Sequence, residues 1–252
     1  LKHRRGLIIT LTLIVILGAL AGWWHSRWQI LKHTQVPTTR TATLFLPGTQ
    51  GAWLSLRSMV VSLNRPHLGH FTLTAKVAFN GSVTWDSHGT FDPRNPLIPV
   101  IFKDNTHPRR QAEQLRTVLT VLHRHYGIDH VNFVGHSSGG TIAYDYLNQS
   151  QPAPVTVDRL VCLGADFPER TPLRYHYPQL HILNLAGSIG RLGNDSEVPV
   201  NTATPMKHLV QGKVASYHFQ KLTGPIWNTQ HSLLHENPAV DRLMIHFLYP
   251  PI

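Results

Sequence analysis

The chain has 252 residues, 42% of them hydrophobic and 14% charged, with a single cysteine. That balance excludes a disordered or collagen-like chain and a disulfide-stapled miniprotein, and the length suits one α/β domain with a short extension. Lysine and arginine outnumber aspartate and glutamate by 23 to 13, a formal charge of +10. The basic residues are dispersed, without zinc-finger spacing, an RNP-like strand or a continuous basic helix, so the expected polyanion is not nucleic acid.

Lys2, Arg4 and Arg5 precede an uncharged run over 7–24 that only Thr10 and Thr12 interrupt. As a helix this run is about 27 Å long, near the roughly 30 Å hydrocarbon core of a bilayer. Trp23, Trp24 and Trp28 fall where an interfacial aromatic belt belongs, and the basic start predicts a cytoplasmic N-terminus with the remainder outside. Ala19-Leu20-Ala21 before Gly22 also has the small-x-small form of a signal-peptide cleavage site. Residues 1–24 are therefore read as an uncleaved signal anchor, or else as a cleaved signal peptide, and either exports the rest of the chain. Without its three leading basic residues the exported part still carries +7, a charge suited to anionic head groups or cell-wall polymers through an attraction that salt screens.

Residues 25–40 are polar and mixed, and read as a linker that ends near Pro37; 41–252 is the expected folded domain. A short apolar strand over 43–46 is cut by Pro47-Gly48. Between 71 and 85 apolar and polar residues alternate around Asn80-Gly81, the signal for a hairpin with a type I′ turn. Another strand is expected over 99–102. From 109 to 126, Ala112, Leu115, Val118, Leu119 and Leu122 recur at three- and four-residue steps, opposite Arg110, Glu113 and Arg116, as in an amphipathic helix. A strand over 131–134, a helix over 141–147, strands over 160–163, 181–184 and 214–219, and a closing helix over 239–248 complete the pattern. Cys162 lies in the apolar run 160–163 and reads as a small buried hydrophobe rather than a reactive thiol. An exported chain without disulfides suits a Gram-positive surface. Strands alternating with helices at these spacings imply a mostly parallel sheet covered on both faces.

The chemistry is expected between the strand ending at Val134 and the helix opening at Thr141. Gly135-His136-Ser137-Ser138-Gly139 matches G-x-S-x-G, in which a serine sits on a tight strand-to-helix turn flanked by glycines that allow close packing. A serine hydroxyl becomes a nucleophile when an imidazole takes its proton and a carboxylate holds that imidazole in one tautomer. In an α/β-hydrolase arrangement the order is Ser, acid, His. Asp195, in the loop after the strand over 181–184, and His231, between the last strand and the last helix, fit that order. Asp166 and Glu197 stand as alternative acids, and His235 as the alternative base. For the oxyanion, the backbone N–H of Ser138 is one expected donor, and Thr49 in the loop after the first strand is the other, with Gln50 as its alternative. His231 and His235 share the spacing of two helical zinc ligands, but Ser232 stands where the glutamate of H-E-x-x-H belongs and no third ligand suggests itself, so no metal is expected.

Taken together, the chain resembles the cell-surface α/β-hydrolases of lactic acid bacteria and related Gram-positive organisms, an esterase- and lipase-like family of largely undefined substrates. The resemblance spans roughly 42–249. It is carried by Asn95-Pro96-Leu97-Ile98 with Asp104-Asn105, by Val131-Asn132-Phe133-Val134-Gly135-His136-Ser137, and by His231-Ser232-Leu233-Leu234-His235-Glu236-Asn237. It implies Ser137 as nucleophile, Asp195 as acid and His231 as base. Three positions depart from the family pattern: Pro47-Gly48 replaces His-Gly, Ser138 replaces the more usual methionine, and Asp195-Ser196-Glu197 stands where Asp-Gly is common.

The resulting expectation is an α/β-hydrolase fold behind an N-terminal membrane-spanning or signal helix. It would be an extracellular serine hydrolase that cleaves small or short-acyl carboxylic esters without metal or organic cofactor, since 167–179 is the only room for a cap. Two other readings use the same features: a non-catalytic module that binds wall polymers through its charge, and a peptidase or acyltransferase with the same triad.

Overall fold

In the computed structural model, which describes residues 2–149 and 154–250, apolar side chains alternate within each central strand and so divide the core between two faces of one sheet. Positions 251–252 of the expected domain, and the side chains of Lys2, Arg5, Trp24 and Trp28, lie outside the described residues.

The chain opens with α1 (Lys2–Trp28) and a 3-10 turn (Gln29–Leu31), then β1 (Ala42–Leu46) and α2 (Trp53–Leu63). Four strands come next: β2 (His70–Phe71), β3 (Leu73–Val77), β4 (Val83–Ser87) and β5 (Pro96–Phe102). They lead to α3 (Pro108–Tyr126), β6 (His130–His136), α4 (Ser138–Leu147), β7 (Thr156–Leu163) and β8 (Tyr177–Ile189). Two single-turn helices, α5 (Val200–Ala203) and α6 (Met206–Leu209), precede β9 (Val214–Gly224). The chain closes with α7 (Ile226–Thr229), α8 (His231–Leu234) and α9 (Pro238–Leu248).

The strands form one sheet in the order β4-β3-β5-β1-β6-β7-β8-β9, with β2 also on β5. Every pairing along the path is parallel except β3 with β4. The direction of strand addition reverses at β1, which has β5 on one side and β6 on the other. The loops after β1, β6, β7, β8 and β9 therefore leave from one edge, at the carboxyl ends of the strands, where open α/β sheets bind their ligands.

On β1, Ala42, Leu44 and Leu46 face the cluster that contains α3 and α4, whereas Phe45 faces the one that contains α2 and α9. β7 divides likewise, Leu160 and Cys162 to the first face and Val161 and Leu163 to the second. In α3 the expected stripe is buried at Ala112, Leu115, Val118, Leu119 and Leu122, each larger side chain worth about 1.5–3 kcal/mol against exposure. Gly127 at φ 62 ends that helix in the left-handed conformation, which a residue without Cβ adopts at no steric cost. Cys162 is fully buried, and burial pushes its thiol well above the ordinary range.

The hairpin forms over β3 and β4, but its turn is not type I′. Gly81 N–H donates to the Ala78 carbonyl at 2.9 Å and Ala78 N–H to that of Ser82 at 2.9 Å. Gly81 is left-handed at φ 80, while Asn80 has no positive φ. The loop is thus the three-residue form, a turn closed by a left-handed glycine, because the strands end one residue farther apart than a two-residue loop allows.

The segment 25–40 does not run free of the domain. Leu31 is fully buried among α2 and α9, Val36 N–H donates to the His67 carbonyl at 3.3 Å, and Asn95 Nδ2 donates to the carbonyls of Pro37 and Leu68, both at 3.0 Å. These contacts lie at the amino-terminal edge of the sheet, opposite the loops after β1 and β6. α1 contains one apolar stretch, Gly6–Trp23, of mean hydropathy 2.3 and exposed along its length, compatible with a signal or a single membrane span.

Candidate active site

Ser137 sits between β6 and α4 at φ 54 and ψ −128. Few non-glycine residues hold that conformation, which costs on the order of 1–3 kcal/mol and persists only where the surroundings fix it. They do so here: Ser137 N–H donates to the Leu163 carbonyl at the end of β7, 2.8 Å away. A Cβ on Gly135 would lie 2.3 Å from the Gly139 backbone, and one on Gly139 would lie 2.2 Å from the Leu46 carbonyl oxygen. The glycines of the motif thus allow strand, elbow and helix to meet.

His231 and Asp195 come together at the same edge. His231 Nδ1 is 2.8 Å from Asp195 Oδ2, with the two side chains 4% and 1% exposed. The backbone repeats the link, His231 N–H donating to the Asp195 carbonyl at 2.8 Å. Asp195 Oδ1 in turn accepts from the N–H groups of Glu197 at 3.0 Å and Val198 at 2.7 Å. A carboxylate held this way keeps the proton on Nδ1 and leaves Nε2 as the basic nitrogen. Burial works to lower the pKa of His231, but the hydrogen bond and charge of Asp195, joined by Glu197 and Asp166, outweigh it, and the net direction is upward.

Gly164 connects the pair to the elbow. It comes after Leu163, whose carbonyl holds Ser137, and a Cβ there would lie 3.0 Å from Asp195 Oδ2 and 3.2 Å from His231 Nδ1. Among the alternative acids, Asp166 is half-buried beside the ring, whereas Glu197 Oε2 approaches the other nitrogen, 3.7 Å from Nε2. His235 is directed elsewhere, with Nδ1 3.5 Å from Glu236 Oε1 and 3.4 Å from Ser58 Oγ.

The loop after β1 closes on the elbow. A Cβ on Gly48 would lie 2.9 Å from Ser137 Cβ and 3.5 Å from its Oγ. Thr49 Oγ1 donates to Ser138 Oγ at 3.0 Å. Gln50, the alternative donor, has its N–H engaged by the Asn105 carbonyl at 2.8 Å. Among the described residues no hydrogen bond occupies the Thr49 N–H, and Ser138 opens α4, where the first N–H groups have no helical partner. Both N–H groups are therefore unengaged, in residues next to the Gly48–Ser137 contact.

Two features escaped the sequence. His136 Nε2–H donates to the backbone carbonyl of His231 at 3.0 Å, and its ring lies 4.7 Å from that of His231 and 4.6 Å from that of His235. Burial, with the nearby His235 and His231, pushes the pKa of His136 well down, so it is a neutral donor. No periodicity signals a contact across 95 positions; only the place of His136 beside the nucleophile hints at it. The other feature is Ser196, left-handed at φ 87. That conformation favours glycine, so Ser196 holds a strained backbone next to Asp195.

The family model described as "Alpha/beta hydrolase of unknown function (DUF915)" matches residues 31–176 and 171–250. Among solved structures, a gene product of Listeria innocua is 21% identical with a TM-score of 0.71, covering 87% of this chain and 96% of its own. A Lactobacillus plantarum WCFS1 protein, provisionally named a cell surface hydrolase, is 24% identical with a TM-score of 0.68, covering 83% of this chain and 92% of its own. At these identities the likeness shows the fold. No curated protein matches the chain.

Proposed function

This chain belongs to a family of α/β hydrolases of unknown function, and on that footing we propose that it is a serine hydrolase that cleaves carboxylic esters through an acyl-enzyme on Ser137. The observation that carries the reading is the strained elbow at Ser137, which the Leu163 carbonyl holds next to Gly164, the residue packed against the buried Asp195–His231 pair. Strain of this kind is retained where it serves exposure of a nucleophile.

In this reading His231 Nε2 takes the Ser137 proton as Oγ attacks the ester carbonyl. Asp195 holds Nδ1–H and steadies the imidazolium. The N–H groups of Ser138 and Thr49 receive the oxyanion, and because both are fixed before the reaction they need no reorganisation as charge develops. His231 then gives its proton to the leaving alcohol, and water repeats the sequence on the acyl-enzyme. A peptide or another acceptor could enter the same chemistry, since nothing in the triad distinguishes them.

Small or short-acyl esters fit the reading because the segment 167–179, the expected place for a cap, is short and fastened to the domain. Phe167 N–H donates to the Thr202 carbonyl and Leu173 N–H to that of Leu209, each at 2.9 Å, which ties the segment to α5 and α6. We take α1 as an anchor or signal that exports the domain. As an anchor it would meet the domain at the sheet edge opposite Ser137, so the site would face away from the bilayer toward the wall.

A panel of p-nitrophenyl esters from acetate to palmitate tests this on the full chain in detergent. The account expects turnover that Ser137→Ala abolishes, with acetate and butyrate esters faster than palmitate. Much faster turnover of long-chain esters contradicts the short-acyl reading; absence of turnover on every ester, with salt-sensitive wall binding that survives Ser137→Ala, favours a binding module.

A further inference from the structure

Glu197 reaches the imidazole of His231 from the side opposite Asp195. Its Oε2 lies 3.7 Å from Nε2, and the Glu197 side chain is 58% exposed where that of His231 is 4%. The carboxylate stands at the solvent side of the atom that hands its proton to the leaving group. Any leaving group in reach of Nε2 therefore passes beside Glu197.

The placement is built into the loop. Asn194 Oδ1 accepts from Ser196 N–H at 3.0 Å, Gln230 Nε2 donates to Ser196 Oγ at 3.1 Å, and Glu197 N–H donates to Asp195 Oδ1 at 3.0 Å. The carboxylate that orients the imidazole thus also fixes the backbone of the residue that flanks it. Ser196 and Glu197 thus put a hydroxyl and a charge at the mouth of the site.

The sign of that charge runs against the rest of the chain. Only 13 acidic residues offset 23 basic ones, yet Asp195, Glu197 and Asp166 all bear on one ring. The other rings against His231 and its neighbour are those of His136, which is neutral, and His235, which is turned toward Glu236. Asp195 is committed to Nδ1 and to two backbone N–H groups, and no lysine or arginine pairs with Glu197 among the described residues. Of the three carboxylates, Glu197 is the one placed beside Nε2 and largely exposed, so its solvent side can receive a positive group.

Resting on the reading of Ser137 as nucleophile, we propose that Glu197 is a specificity-determining residue that selects substrates whose leaving group carries a cation, such as esters of amino alcohols. A partly exposed carboxylate beside a cation a few ångströms away is expected to favour it by about tenfold or more over an uncharged group of the same shape.

Phosphorylation of Ser137 tests this without a guess about the acyl chain. The full chain in detergent is treated with diethyl phosphorothioate carrying either a trimethylammonioethyl or a 3,3-dimethylbutyl thiol as leaving group, one cationic and the other its uncharged isostere. In each case a bond forms from Ser137 Oγ to phosphorus, the phosphorus–sulfur bond breaks, and the serine proton leaves with the thiol through His231. Rate constants are read from the growth of the adduct by intact mass. The proposal expects the cationic reagent to react about tenfold faster or more, the ratio to fall to near one in Glu197→Gln, and to invert in Glu197→Lys. Equal rates in the wild type, or a preference that Glu197→Gln retains, overturn the proposal while leaving Ser137 as nucleophile. Reaction with neither reagent nor with a fluorophosphonate overturns the reading of the site, and the proposal with it.

Discussion

His136 and His231 are joined by a hydrogen bond from the Nε2–H of one to the backbone carbonyl of the other, 3.0 Å long and buried. The residue preceding the nucleophile thereby holds the main chain of the residue read as its base. Asp195 fixes the same segment from the other side through its carbonyl and carboxylate. The geometry of the site is thus set by three chain segments bonded to one another, each leaving the same edge of the sheet.

Replacing His136 by phenylalanine keeps most of the ring volume but leaves the His231 carbonyl without its donor, a loss usually worth about 1–3 kcal/mol. We expect kcat/KM to fall about tenfold or more, while His136→Asn, which retains an N–H, recovers part of it. Steady-state kinetics of both variants, beside their denaturation midpoints, check this. Wild-type kinetics in the phenylalanine variant would show that the bond positions nothing.

Asp195→Asn addresses the pair itself. Loss of the carboxylate removes the anchor of the Nδ1 tautomer, and a drop in kcat of about 10⁴-fold is expected. The pH profile carries a second signature. Since the base must be neutral, activity falls as pH drops through the His231 pKa, which lies above its ordinary value. Residual activity in Asp195→Asn should therefore show its acid limb at lower pH than the wild type. Asp166→Asn should leave kcat far closer to wild type; the reverse order of effects would assign the acid to Asp166.

Stability has its own titrating group outside this chemistry. Asp241 is fully buried in α9, where Ser62 Oγ lies 2.8 Å from Oδ2. Burial pushes its pKa up from 3.8 to about 8, against the lowering effect of Ser62 and with a smaller contribution from Glu236. The folded state therefore binds this proton more tightly than the unfolded state, and stability falls as pH rises from near 4 toward 8, with a slope of up to about 1.4 kcal/mol per pH unit. Asp241→Asn, which cannot ionise, should flatten that slope, as urea denaturation at pH 5 and pH 8 would reveal. Equal pH dependence in both proteins would place the titration elsewhere.

Periodicity made the strands and α3 legible because each buries a regular face, and G-x-S-x-G made the elbow legible because its glycines answer a steric need that spacing records. α2 has no counterpart among the expected elements, although Leu56, Met59, Val60 and Leu63 carry the helical spacing. The extent of β8 and β9 was underestimated, since exposed polar residues such as Lys221 continue the strands through backbone pairing alone. Asp195 followed from chain order, but what separates it from Glu197 is which nitrogen of one ring each carboxylate meets. Two residues apart in sequence, they occupy opposite sides of an imidazole, and no pattern in the sequence encodes that. The packing of residues 31–39 against the sheet edge likewise rests on Asn95, whose side chain bridges backbone groups far from it in the chain.

The central claim is that Ser137 is an activated nucleophile, and covalent labelling by a fluorophosphonate tests it most directly because it requires no knowledge of the substrate. The full chain in detergent is incubated with the reagent and its intact mass measured beside that of Ser137→Ala. The account predicts one adduct on the wild type and none on the variant. A folded wild-type protein that gains no mass, or an adduct that persists in Ser137→Ala, would contradict it.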